Sequence, residues 1–267
     1  MAKNGLKRFL VRVRAAMRRV RPAFAKMTPH ARTAWDFVRE PALAILFAMA
    51  ATTAIARPYY VPTGSMEPTI AIGDEVLASK FAYGYSRYSL PFSAPLPSGR
   101  VFSVAPAPGD VVVFRVSKDQ AIDYVKRVVG MPGDRIQMKQ GQLYINDTPV
   151  KREPLADIFD DGACGLASST FAKRWRETLP NNVSYETLDC VDHGFLDSTD
   201  VYTVPDGHFF MLGDNRDNST DSRVLSQVGY VAIDNLIGRV SLIFFSREDG
   251  GGAPARVRTE RIGKLVR

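Results

Sequence analysis

A serine stands in "YVPTGSMEPTI", residues 60–70, and a lysine stands in "DYVKRVVG", residues 123–130. Around Ser65, Gly64 permits a tight backbone and Pro68 keeps Glu67 out of the helical region. A hydroxyl displayed on such a turn is accessible, as a nucleophile must be, although Ser and Gly are also ordinary turn residues. A serine nucleophile needs a base. Histidine is scarce: His30 lies in the N-terminal segment, His193 in a polar stretch, and His208 in "DGHFFML" at the entry to an apolar run. A histidine-dependent mechanism is therefore set aside. A lysine serves instead if it is neutral, the Ser-Lys variant of triad logic. Its pKa must then fall from ~10.4 by about three pH units, roughly 4 kcal/mol, which burial among apolar groups supplies. In an extended strand Tyr124, Lys126 and Val128 share one face, while Val125, Arg127 and Val129 share the other. The ordinary alternative is an edge-strand lysine with its head in water.

Other chemistries find no purchase. The chain has no HExxH, EF-hand loop, P-loop or GxGxxG, and no metal or cofactor is expected. Cys164 and Cys190 are the only cysteines, too few for a four-ligand zinc site and spaced unlike a redox CxxC. In an exported domain they can form a disulfide closing a loop of about 26 residues, worth about 3 kcal/mol in the chain-entropy model. The alternative is two free thiols.

The elements that must hold these residues begin with an unusual N-terminus. Residues 1–40 carry eleven Lys/Arg against Asp36 and Glu40, a balance of +9, so the other 227 residues of a +7 chain stand at −2. Basicity confined to one segment argues against a nucleic-acid partner. Pro41–Ala56, "PALAILFAMAATTAIA", is uncharged. At 1.5 Å per residue these sixteen residues reach roughly 24 Å, short of a ~30 Å hydrocarbon core. Snorkelling by Arg39 and Arg57 and flanking Trp35, Tyr59 and Tyr60 can cover the deficit. The expectation is a single-span anchor at 41–56 with the basic tail 1–40 in the cytoplasm and residues 57–267 outside, Pro41 suiting the first turn of the apolar helix or bending one already begun upstream. The competing readings are a cleaved signal peptide, weakened by the forty residues before the apolar run, a buried core helix, and an Arg-rich transit peptide, weakened by the lack of Ser or Thr in residues 1–27. The tail's charge also suits anionic lipid.

Beyond Arg57 the pattern is β. "GDVVVFRV" at 109–116, "IDYVKRVVG" at 122–130, "DRIQMKQGQLYIND" at 134–147, "VYTVPDGHFFML" and "LIGRVSLIFF" read as strands separated by turns such as "MPGD" and "KQGQ". Residues 85–108 read as an irregular excursion. Residues 151–200 are more polar and read as an insertion between two halves of a β domain. The polar run "GDNRDNSTDSR" at 213–223 follows "HFFML" directly. It is either a surface loop or a rigid network supporting chemistry elsewhere.

In this order, "SMEPT" at 65–69, "KRVVGMPGD" at 126–134 and "GDNRDNSTDSR" at 213–223 closely resemble the bacterial type I signal peptidases, or leader peptidases. "YGYSRYSLP", "ETLPNNVSYETL" and "VPDGHFFMLGDNR" look like Gram-negative members, and the resemblance runs from about Arg57 to Phe245. It implies a mainly β, membrane-anchored catalytic core with a smaller β insertion and one N-terminal transmembrane helix. It implies Ser65 as nucleophile, Lys126 as general base, and the Ser65 N–H with the Thr63 hydroxyl as oxyanion donors, Thr63 standing where many relatives have serine. Ser219 would orient Lys126, and Asp221 with Arg223 would form a buried bracing pair. Val61, Pro62, Met66, Ile70, Tyr124 and Val125 would wall a pocket for the small residues of an A-x-A cleavage site. The resemblance places the chain in the bacterial inner membrane, single-pass, with its catalytic domain in the periplasm. Its partners would be signal-peptide-bearing preproteins from the export machinery and membrane lipid, with no nucleic acid. Two rivals stand beside this reading: a narrower Ser-Lys maturation peptidase of a conjugation or secretion system, and a catalytically silent anchored binding module. Some relatives carry two spans where this chain offers one.

Overall fold

The β-rich pattern after Arg57 becomes a set of antiparallel sheets in the computed structural model, which describes residues 28–89, 99–116, 122–160, 164, 170–250 and 253–266. The basic tail lies outside the described residues up to position 27, as do the centre of the 85–108 excursion and parts of the 151–200 insertion.

Helix α1 (Pro29–Ala54) opens on Pro29, whose fixed φ and missing N–H suit the first helical position. The helix thus starts upstream of the expected anchor, and Pro41 lies in its interior rather than its first turn. There it withholds an N–H from the preceding turn. The apolar segment also stops being helical before its end, since Ala56 opens a strand. No helix among the described residues is long and apolar enough to cross a membrane. Arg32, Asp36, Arg39 and Glu40 charge the first half of α1, and its uncharged part reaches only about 21 Å at 1.5 Å per residue.

Thr52–Arg267 packs as one unit. It starts with β1 (Ala56–Tyr60) and β2 (Asp74–Ser79), antiparallel partners joined by the loop that carries Ser65. Next come β3 (Val111–Arg115), β4 (Asp123–Gly130), β5 (Arg135–Lys139), β6 (Gln142–Ile145) and β7 (Thr148–Pro149). The expected insertion contains β8 (Lys151–Pro154), β9 (Ile158–Asp160), β10 (Thr170–Thr178) and β11 (Ser184–Asp189). The chain then returns through β12 (Tyr202–Thr203), β13 (His208–Leu212), β14 (Val231–Ala232), β15 (Leu236–Gly250) and β16 (Ala253–Val257). The main sheet runs β1-β2-β15-β3-β4-β13-β14, with β16 paired to β15. Two smaller sheets run β12-β5-β6-β7 and β11-β10-β8, the latter with β9 on β10.

Strand β3 shows why the sequence folds this way. Its run Val111–Phe114 is buried on both faces, Val111 and Val113 in one apolar cluster and Val112 and Phe114 in another. A strand covered on both sides reads as a continuous β-branched run, not an alternation. Its neighbour β4 keeps the expected alternation around the lysine: Val128 and Tyr124 pack in the second cluster, and Val125 in the first. Cys164 and Cys190 are joined by a disulfide with Cα atoms 5.8 Å apart, in a small apolar cluster with Ala172 and Leu188.

Candidate active site

The loop between β1 and β2 is drawn tight at its base. The Val61 N–H donates to the Asp74 carbonyl at 2.9 Å and the Gly73 N–H donates to the Val61 carbonyl at 2.9 Å. Within it, Gly64–Met66 forms a 3-10 turn that ends where the sequence requires, at Glu67, extended before Pro68 with ψ 144°. Ser65 is half-exposed on this turn, while Gly64 and Met66 on either side are buried.

Strand β4 brings the lysine to it. Lys126 is 4% exposed, and its Nζ donates to Ser65 Oγ at 2.7 Å and to the Val125 carbonyl at 3.0 Å. Burial is the chief cause that pushes its pKa down to about 8; Asp221 and Asp214 oppose the fall and Arg223 adds to it. An amine in this state is a base near neutral pH, and it already touches the hydroxyl whose proton it would take.

Both groups open onto a cleft of about 500 Å³. Val61, Pro62, Met66, Tyr124 and Val125 line it, as do Thr63 and Ser219. Ile70 does not: it is fully buried in the apolar cluster beneath, packed with Val76 and Val113 rather than facing the cleft. Neither His193 nor His208 lines the cleft.

The segment 213–223 wraps behind the pair. Asp221 and Arg223 form a buried two-pronged ion pair, Arg223 Nε to Asp221 Oδ1 and Nη2 to Oδ2, each at 2.8 Å. Burial acts against the Asp221 charge, but Arg223 outweighs it and the carboxyl pKa is lowered. The Gly213 N–H donates to Asp221 Oδ2 at 3.0 Å, and the Asn215 N–H donates to the Ser65 carbonyl at 3.2 Å. The polar run is therefore hydrogen-bonded to the backbone of the serine itself. Ser219 departs from the expectation: its Oγ is buried against Gly213 and faces the Asp221 carboxylate, whose pKa it helps to lower, while the donors of Lys126 go to Ser65 and Val125.

Three further residues of the site escaped the sequence reading. Arg127, the neighbour of Lys126, is fully buried and grips Asp214 with Nε to Oδ1 at 2.8 Å and Nη2 to Oδ2 at 2.7 Å. Burial works against its charge, yet Asp214 prevails and the pKa is raised. Thr69, four residues past Ser65, donates its hydroxyl to the same Asp214 at 2.6 Å. The insertion contributes as well: Glu177 on β10 accepts from Arg216 at 2.5 Å and from the Tyr185 hydroxyl at 3.1 Å. A signal existed for the first of these, since an arginine amid "VKRVVG" opposite buried valines needs a buried partner. For Glu177 the sequence carried none, because its partner lies 39 residues away.

A family model described as "Signal peptidase, peptidase S26" matches residues 34–245, beginning upstream of the motif resemblance at Arg57 and ending with it. Signal peptidase I of Rickettsia typhi (strain ATCC VR-144 / Wilmington) is 40% identical over 211 residues, 76% of each chain. Signal peptidase I of Rickettsia conorii (strain ATCC VR-613 / Malish 7) is 40% identical over 214 residues, 77% of each chain. A solved signal peptidase I from Enterococcus faecalis V583 aligns with 52% of this chain and 98% of its own at 24% identity and a TM-score of 0.30. With the matched segment spanning all three motifs that meet at the cleft, the chain belongs to the signal peptidase, peptidase S26, family.

Proposed function

We propose that this chain is a serine endopeptidase that removes N-terminal signal peptides from exported preproteins, with Ser65 and Lys126 as its catalytic dyad. The observation that carries the reading is the 2.7 Å bond between Lys126 Nζ and Ser65 Oγ, with the lysine buried and its pKa brought down to about 8.

Neutral Lys126 takes the Ser65 proton as Oγ attacks the scissile carbonyl carbon. The carbonyl oxygen becomes an oxyanion held by the Ser65 N–H and the Thr63 hydroxyl. The ammonium of Lys126 then gives its proton to the leaving amine, the C–N bond breaks, and an acyl-Ser65 remains. Water, losing a proton to Lys126, attacks that ester; the proton returns to Ser65 Oγ and the signal peptide leaves with a new carboxylate.

The substrate's course follows from strand β4. Strand β13 pairs with Arg127, Val128 and Gly130, so Asp123–Lys126 lie beyond its last partner. An extended peptide can add itself there, the β-augmentation mode. Val61, Pro62, Met66, Tyr124 and Val125 then offer shallow apolar ground for the small side chains of an A-x-A site. The uncharged stretch 41–56, flanked by Arg39 and Arg57 and preceded by the basic tail, attaches the chain to the bacterial inner membrane, with its N-terminus cytoplasmic and the β unit periplasmic. Exposed Leu43, Ile45, Leu46 and Phe47 on α1 support that attachment.

Purified full-length chain mixed with a preprotein bearing an A-x-A site tests the reading. The expected result is a single cut after that site, absent in Ser65→Ala and Lys126→Ala. Full activity in Lys126→Ala would overturn the dyad. Alkaline extraction of membranes tests the attachment, with release of the chain into the supernatant the contrary result.

A further inference from the structure

The family match ends at residue 245, yet the chain continues to 267, and that continuation reaches back to the nucleophile's loop. Strand β15 runs on to Gly250 and folds back as β16, with Arg247 opposite Val257. A 3-10 turn at Thr259–Arg261 follows. From this hairpin two arginines converge on Asp74, the fully buried residue that opens β2. Arg261 Nη2 donates to Asp74 Oδ2 at 2.6 Å and Nε donates to Oδ1 at 3.0 Å. Arg258 Nη2 reaches Asp74 Oδ1 at 3.4 Å and the Ile72 carbonyl at 2.5 Å. Ser246 donates its hydroxyl to Asp74 Oδ1 at 2.7 Å and accepts from Arg258 Nε at 2.9 Å.

These contacts fall on the ten-residue stretch from Ser65 to Asp74. Asp74 accepts the Ala71 N–H on its side chain at 2.9 Å and the Val61 N–H on its carbonyl at 2.9 Å. Gly73, at φ +83°, presses against the Arg247 carbonyl so closely that any side chain would collide with it. Most telling is Thr69. Its carbonyl accepts from Arg261 Nη2 at 3.2 Å, while its hydroxyl donates to Asp214, the partner of Arg127. One residue of the serine loop is thus held from one side by the C-terminal turn and from the other by the ion pair beside the lysine.

We propose that the segment after residue 246 is a clamp that fixes where Ser65 stands relative to Lys126, with Arg261 and Arg258 as positioning residues. The proposal deepens the Ser65–Lys126 reading and rests on it. A nucleophile and base at 2.7 Å leave little slack. A displacement near 1 Å costs on the order of 100-fold in rate. The arginines touch neither dyad group, so loosening the clamp moves the serine while strand β4 keeps the lysine buried and in place.

The test uses the full-length chain, a preprotein with an A-x-A site, and the variants Arg261→Gln, Arg258→Gln and Arg261→Lys. In Arg261→Gln, kcat falls ~10-fold or more while KM stays within ~3-fold, and the acidic limb of the pH profile does not move. Arg261→Lys keeps a charge opposite Asp74 but loses the fork that also reaches Thr69, and its kcat lies between the two. Hydrogen exchange gives a readout independent of cleavage: the amides of Glu67 and Ile70 exchange faster in Arg261→Gln while those of β4 do not. A wild-type kcat in Arg261→Gln, unchanged exchange at Glu67 and Ile70, or a loss of activity that only follows the folded fraction by circular dichroism overturns the clamp. Should Arg261→Gln fail to fold, Arg261→Lys decides, and wild-type kcat and exchange in that variant overturn it. Failure of the peptidase reading looks different: the wild-type chain itself leaves the preprotein uncut.

Discussion

Arg127 and Asp214 meet as a completely buried, two-pronged ion pair, each lying next in sequence to a residue of the site: Arg127 to Lys126, and Asp214 to Gly213. The pair fixes strand β4 to the start of the polar segment, and through Thr69 it also touches the serine loop. Replacing Asp214 by Asn leaves a guanidinium charge buried without its counter-charge. Such losses cost about 3–5 kcal/mol. Asp214→Asn is therefore expected to unfold at markedly lower denaturant concentration than wild type, measured by tryptophan fluorescence, and to lose most activity even below its unfolding transition. Wild-type stability in that variant would show that the pair is dispensable.

The lysine has the opposite sign. Its pKa in the folded chain is lowered to about 8, against 10.5 when unfolded, so the unfolded chain binds more protons between those values. Stability from this group therefore rises with pH across that window, and at neutral pH its burial costs about 3 kcal/mol. Lys126→Met removes that cost with little change in volume. The variant is expected to be inactive yet more stable than wild type at pH 7, the gain shrinking as pH rises toward 10. Activity of the wild-type chain should climb with pH through about 8, because only the neutral amine accepts the Ser65 proton. A flat profile from pH 6 to 9 would remove Lys126 from the role.

Gly213 has no side chain because there is no room for one. A Cβ built there would lie 2.5 Å from Ser219 Cβ and 2.6 Å from the Ser65 carbonyl. Neither neighbour is a flexible chain end, so Gly213→Ala must displace the polar segment, the serine, or both. Overpacking of this kind costs about 1–3 kcal/mol. The expected outcome is a loss of kcat larger than the loss of stability, read from initial rates beside thermal melts. A fully active Gly213→Ala would mean that the segment yields without disturbing Ser65.

How far the sequence reached is clear from these residues. The turn at Ser65 and the alternation around Lys126 are legible because both are local, but alone they suit an ordinary turn serine and an edge-strand lysine; the roles of both come with the motifs. Three short motifs carried the family, and with it the Asp221–Arg223 pair. Ile70 was misplaced because an apolar residue at the right spacing fits a pocket wall and a core equally well; only burial separates them, and burial depends on what β15 and β3 pack above it. Ser219 was assigned an orienting bond from its motif position, whereas the rotamer that meets Gly213 is set by tertiary packing. Helix α1 starts at Pro29, and the apolar run from Pro41 does not report a helix that begins in the charged segment before it. The Glu177–Arg216 and Asp74–Arg261 pairs join residues 39 and 187 positions apart, and no periodicity reports such distances.

The insertion carries the last prediction, because it supports the cleft rather than merely decorating it. Strand β11 runs alongside the polar segment: the Leu188 N–H donates to the Asp214 carbonyl and the Arg216 N–H donates to the Leu188 carbonyl, each at 2.9 Å. Just beyond, Asp217 in the cleft wall accepts the Cys190 N–H at 2.7 Å and the Val191 N–H at 3.0 Å. Cys190 is tied to Cys164, so the disulfide anchors the backbone that Asp217 holds. Replacing both cysteines by alanine removes a cross-link closing about 26 residues, worth about 3 kcal/mol in the chain-entropy model. The double variant is expected to melt at lower temperature and, while still folded, to show a raised KM with a smaller change in kcat, because the cleft wall loosens while the Ser65–Lys126 contact does not. Reductant should reproduce both effects in the wild-type chain and neither in the variant. A kcat that collapses with unchanged KM would instead place the disulfide's influence on the dyad itself.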